Sequence, residues 1–174
     1  MSNFNYVVTA FSVFVAGVGK AGSGEKCKLP MLALETEKFR GGGMLGEIAV
    51  PFGYKPLEME FELNQFDPQV LSLSDFFNQT GIAFSVRGFA TGDGTNGTGT
   101  AAHTIICQCA GVMESVDPGE WTAGKKASLK CKAMLTAAKL SVDAAVIYDI
   151  DLKADRYNVA GTDLYAPVRT ALGL

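Results

Sequence analysis

The chain has 174 residues, enough for a single domain with a core of ordinary size. Only 19% of residues are charged, 48% are hydrophobic and 20 are glycine, a mix that suits a turn-rich β protein hiding surface in assembly. A net charge of −3, with lysine and arginine scattered singly, excludes a tight nucleic-acid binder, because gripping phosphates takes clustered cations.

Residues 6–16, rich in Val, Phe and Thr, predict a first strand. The apolar stretch 6–18 contains Thr and Ser and no Lys or Arg precedes it. It therefore predicts neither a signal peptide nor a membrane span, and synthesis in the cytoplasm is the default. Gly17, Gly19, Gly22 and Gly24 mark a turn, and 26–32 predicts the returning strand. Segment 33–56 holds no period. It runs through Phe39-Arg40-Gly41-Gly42-Gly43-Met44-Leu45-Gly46 to Pro51, Gly53 and Pro56, and reads as a long functional loop or an assembly arm.

Residues 57–64 give the clearest pattern. Leu57, Met59, Phe61 and Leu63 alternate with Glu58, Glu60, Glu62 and Asn64, the signature of a half-buried strand. Asp67-Pro68 then opens a helix over 68–79, with an apolar stripe of Val70, Leu71, Leu73, Phe76 and Phe77. This is the one substantial helix expected. Strands follow at 82–89, 104–116, 128–142 and 145–152, the last with Asp149 and Asp151 on one face. The tail 153–174 is mixed and reads as a C-terminal arm. No linker divides the chain, so 1–174 is expected to be one mainly β domain: two packed antiparallel sheets, as a sandwich or barrel, with one helix and extended loops.

Chemical motifs are sparse. The glycines of Gly92-Asp93-Gly94-Thr95-Asn96-Gly97 match the spacing G-x-G-x-x-G, but a strand rather than a helix follows, so a flexible loop is expected. Same-face carboxylates on 57–64 sit about 7 Å apart. No aromatic sugar platform accompanies them, so glycoside hydrolysis is not expected. Cys27, Cys107, Cys109 and Cys131 leave three readings open: buried small hydrophobes, disulfides formed between subunits outside the cytosol, or zinc. His103 lies near a loop end without a nucleophile arrangement, and Trp121 suits a turn or an interface. No catalytic residue, metal or cofactor is expected.

Three blocks carry a family resemblance: Leu29-Pro30-Met31-Leu32, the Phe39–Gly46 run quoted above, and Leu57-Glu58-Met59-Glu60-Phe61-Glu62-Leu63. The order of an aromatic, Arg-Gly, a small residue, Gly-Met and a further Gly resembles the major tail tube proteins of contractile-tailed bacteriophages. Phe66-Asp67-Pro68 and the terminal Leu172-Gly173-Leu174 are similar as well. The resemblance implies a non-enzymatic virion protein, assembled in the host cytoplasm, whose hexameric rings stack into a tube inside a sheath. It implies sheath, baseplate, tail terminator and tape measure proteins as partners, with DNA passing transiently and no membrane insertion. Residues 39–56 then become an inter-ring loop, with Phe39, Arg40, Gly41, Gly42, Gly43, Met44 and Gly46 at its contacts. Glu58, Glu60, Glu62, Asp149 and Asp151 become candidates for an acidic lumen wall. The tube of a phage-derived bacteriocin or injection particle is the near alternative, and a soluble β-sandwich binding module the distant one.

Overall fold

A computed structural model describes residues 7–20, 22–73, 81–93 and 100–173. Its strands are β1 (Val7–Val15), β2 (Val18–Gly19), β3 (Gly24–Lys28), β4 (Leu34–Phe39), β5 (Ile48–Tyr54), β6 (Leu57–Leu63), β7 (Ile82–Asp93), β8 (Thr100–Asp117), β9 (Leu129–Val142), β10 (Ala145–Asp151), β11 (Arg156–Val159) and β12 (Thr162–Asp163). Two short helices complete it, α1 (Pro68–Ser72) and α2 (Ala166–Leu172). Every pairing is antiparallel, as expected for the fold class. Two-residue turns at Ala16-Gly17, Asp143-Ala144 and Ala160-Gly161 all have positive φ, the twist that a tight hairpin requires.

One large sheet forks at β9. Along one edge β9 pairs throughout with β8. Along the other it takes β6 at Leu129–Leu135 and β10 at Ala137–Val142. Thr136 sits at the fork, where the β8–β9 register slips, and its carbonyl accepts from Leu152 N at 2.9 Å. The path β12-β11-β10-β9-β8-β7-β1-β2 forms the main sheet, and β6 carries β3 as a second limb.

That limb folds over the core. Met59, Phe61 and Leu63 of β6 join Val13, Val15 and Phe84 from the facing strands, and Leu129, the cross-strand neighbour of Leu63, in one buried cluster. Full burial of each large side chain contributes about 1.5–3 kcal/mol. Phe61 and Phe84 pack across the core at 6.2 Å between ring centroids. Where β3 nears β1, a Cβ on Gly24 would lie 3.2 Å from the Phe11 ring. The two edges therefore meet through side chains, and the sheet bends around its core without closing into a barrel.

Gly111 marks the tightest approach. A Cβ there would lie 2.1 Å from the Met134 carbonyl oxygen and 2.7 Å from Leu135 Cα, both backbone atoms that cannot swing aside. Gly111→Ala is expected to destabilise the monomer by about 3 kcal/mol, the upper range of overpacking, read as a lower midpoint in urea unfolding.

Two expectations change in detail. α1 covers 68–72, and 74–79 of the expected helix lie outside the described residues. The tail does not run free. β11 extends the sheet, β12 pairs with it, and the chain ends in a second helix that was not foreseen, α2, capped by Gly173 at φ 74. Arg169 of α2 bonds Asp163 and the Asp155 carbonyl, fastening the helix to the sheet edge.

Candidate assembly surfaces

The segment expected as a loop is a two-stranded ribbon. Among the described residues β4 and β5 pair only with each other, and every residue in both strands is exposed. On one face Phe39 and Ile48 are cross-strand partners, as are Glu37 and Val50. Leu45 at the tip is fully exposed. The tip closes on itself: Met44 Sδ accepts from Gly41 N at 3.1 Å, and Gly43 takes φ 88. At the base Tyr54 stacks on Tyr157 of β11, 4.6 Å between centroids. An isolated two-stranded ribbon is marginal in water, and a large exposed apolar patch signals an interaction site. Of the inter-ring candidates, Phe39 ends β4 and Arg40, Gly41, Gly42, Gly43, Met44 and Gly46 form the tip.

The acidic residues sit on the outward face of the large sheet, on β6 and β10. Glu58, Glu60 and Glu62 point away from the core, as alternation requires. They are not bare. Lys132 pairs with Glu58 at 3.2 Å and with Glu114 of β8 at 3.0 Å. Lys28 reaches Glu60 at 3.6 Å and Lys26 reaches Glu62 at 3.8 Å. Lys130 lies opposite Glu62 on β9. The lysines treated as scattered are a folded array, and a sequence signal announces it. Lys26-Cys27-Lys28 and Lys130-Cys131-Lys132 each put two lysines on one strand face around an inward cysteine. Asp149 pairs with Arg156 at 3.2 Å, and Asp151 accepts the amides of Lys153 and Ala154.

The four cysteines gather inside the subunit as free thiols. Cys107, Cys109 and Cys131 are buried, and Cys107 and Cys109 stand 3.5 Å apart, sulfur to sulfur. Burial, then Cys107 nearby, pushes the Cys27 thiol up to about 12, and burial, then Asp67, does the same for Cys131. High thiol pKa values make these groups poor nucleophiles at neutral pH. Among the described residues no group of three His, Cys, Asp or Glu is placed to hold a metal, and no helix is long and apolar enough to cross a membrane.

His103 Nδ1, on β8, lies 2.5 Å from Asp143 of the β9–β10 turn. That hydrogen bond, then the amide of Thr104, holds the Asp143 carboxyl below the usual carboxylate range. The pair fastens a hairpin end. The fold and its surfaces together define a β subunit of assembling type, with one projecting apolar ribbon.

Comparison with known proteins names the class. A family model described as phage tail tube protein FII matches residues 5–173, and the chain belongs to that family. It is a structural tail tube protein of a phage or phage-like contractile particle, not an enzyme. It is 26% identical over 168 residues to the major tail tube protein of Serratia phage KSP20, covering 94% of both chains. Solved structures share the fold. One is the sheath-tube complex of an extracellular contractile injection system in its extended state, with TM-score 0.52 and 13% identity, covering 77% of this chain and 88% of that one. Another is the tube-terminating cap of the anti-feeding prophage, with TM-score 0.53 and 11% identity, covering 75% and 87%.

Proposed function

We propose that this chain forms six-membered rings that stack head to tail into the tail tube of a contractile phage, and that viral DNA leaves through the lumen. The observation that carries this reading is the ribbon β4–β5, an apolar two-stranded arm standing out from a tail tube fold. A second copy gives it the third strand or apolar bed that such a ribbon needs. The phage reading is favoured over an injection particle because the phage relative matches nearly end to end, whereas the injection-system neighbours share the fold alone. Sheath and terminator proteins are the outer and end partners, since the structural neighbours are a sheath-tube complex and a tube-terminating cap. A baseplate and a tape measure protein complete the set. Native mass spectrometry of the first assembled species should give a mass of six chains, and any other ring size contradicts the six-fold reading.

The outward β3–β6–β9 face, with Glu58, Glu60 and Glu62, is the proposed channel wall. It resists DNA through charge pairing: Lys26, Lys28 and Lys132 already hold carboxylates, and Lys130 lies between Glu62 and Asp117 in the strand register. With Glu114 and Asp117 the face carries one carboxylate more than its lysines, an excess felt within a Debye length of about 8–10 Å. Removing the carboxylates should expose the lysines. A Glu58→Gln, Glu60→Gln, Glu62→Gln variant is expected to gain salt-sensitive DNA binding, with log K falling against log salt at a slope of about −3 to −4. The unsubstituted protein should show none in the same filter assay. Equal binding by both would contradict the wall assignment.

A further inference from the structure

The ribbon needs a receiving surface, and the opposite end of the subunit carries one. The strand β6 leaves the ribbon at Leu57, ends at Leu63 and leads to Phe66. Seven strand residues carry the chain roughly 20 Å. At that far end Phe66 meets Trp121 of the β8–β9 loop edge to face, 5.2 Å between centroids at 84°. Trp121 is 68% exposed, yet it is held: its indole N–H donates to the Pro118 carbonyl at 3.3 Å. A groove of about 450 Å³ lies beside it, lined by Phe66, Trp121, Ala123, Lys125 and Ala127.

We propose that this aromatic shelf receives the β4–β5 ribbon of the copy in the adjacent ring. The assignment rests on the tube reading and names the contact within it. Three observations carry it. A stack that grows without limit needs two different, complementary patches facing opposite ways, and these two lie at opposite ends of the strands. The charges match. Glu35 and Glu37 share the Phe39 face of β4, Lys125 and Lys126 flank the shelf, and these four form no ion pair among the described residues. Finally, a preorganised, exposed tryptophan beside a groove is the side-chain type that anchors interfaces.

Trp121 is the chain's only tryptophan, so it reports on its own burial. The full-length protein should show solvent-exposed emission as a monomer. In assembled tubes the emission should shift to shorter wavelength and lose most of its acrylamide quenching. Tubes that form with Trp121 still exposed overturn the docking and leave the tube reading standing. A chain that never assembles overturns the tube reading and the docking with it. As a second arm, Trp121→Ala should keep the monomer's melting point and lose stacking, with assembly falling by more than tenfold. Tubes at unchanged yield from this variant would also overturn the assignment.

Discussion

Phe39→Asp and Leu45→Asp are each expected to raise the concentration needed for tube growth by one to two orders of magnitude, roughly 30–150-fold, while leaving the monomer folded. Both side chains are exposed on the isolated subunit, and the ribbon makes few contacts with the body beyond the Tyr54–Tyr157 stack. Surface changes of this kind usually alter monomer stability by no more than about 0.5 kcal/mol. At the proposed inter-ring contact the same side chains become buried, and each should contribute about 2–3 kcal/mol through apolar area removed from water. At 1.4 kcal/mol per tenfold, the threshold concentration for assembly rises roughly 30–150-fold per substitution. Sedimentation of the variants across a concentration series reads that threshold. A variant that melts early would show that the ribbon supports its own subunit, and one that assembles normally would show that the ribbon does not join rings.

Lys20→Met is expected to destabilise the monomer by about 3–5 kcal/mol, the cost of leaving one buried charge without its partner. Lys20 Nζ sits 2.6 Å from Asp67 Oδ2, and both side chains are more than nine-tenths buried. The ammonium also donates to Gln69 Oε1 at 3.1 Å, while Asp67 Oδ1 accepts the amides of Gln69 and Val70 at the start of α1. The pair thus pins the turn after β2 to the helix that seats Val70 in the core. Burial pushes the Asp67 carboxyl up. The hydrogen bond from Lys20, the Val70 amide, the Lys20 charge and the Gln69 amide outweigh it, and the net shift is down. A carboxyl lowered by folding stabilises the native state above its unfolded value of about 4, and that contribution is lost as pH falls through the folded value. The stability gap between the unsubstituted protein and Lys20→Met should therefore be widest at neutral pH and narrow in acid. A gap constant from pH 7 to pH 3 would contradict the buried pair. At roughly 2–4 °C per kcal/mol for a chain this size, the melting point at pH 7 falls by about 6–20 °C.

Much of the fold was legible because one face of each strand has a core to obey. Leu57, Met59, Phe61 and Leu63 alternate with glutamates since a two-residue period is the only way to bury one side of β6. The ribbon showed no period because neither of its faces meets this subunit's core. Under the proposed stacking its pattern answers to a surface on another copy, which single-chain reasoning reads as a loop. α2 was missed for a related reason. It buries no residue, and Ala166-Pro167-Val168 gives no stripe to recognise. The channel-wall candidates were legible as acidic but not as paired, because the lysines opposite Glu58, Glu60 and Glu62 are brought there by register from positions far along the chain. Only Lys-Cys-Lys, repeated at 26–28 and 130–132, carried that information locally. The cysteines left three readings open at the level of sequence. The fold gathers them as free, largely buried thiols with raised pKa values at Cys27 and Cys131.

Cryo-electron microscopy of the concentrated, full-length protein tests the central claim most directly. The expected image is a hollow tube of stacked six-fold rings, with β4–β5 of each subunit seated on the next ring. Monomers or small closed oligomers, persisting even when baseplate complexes are supplied as a template, would contradict it.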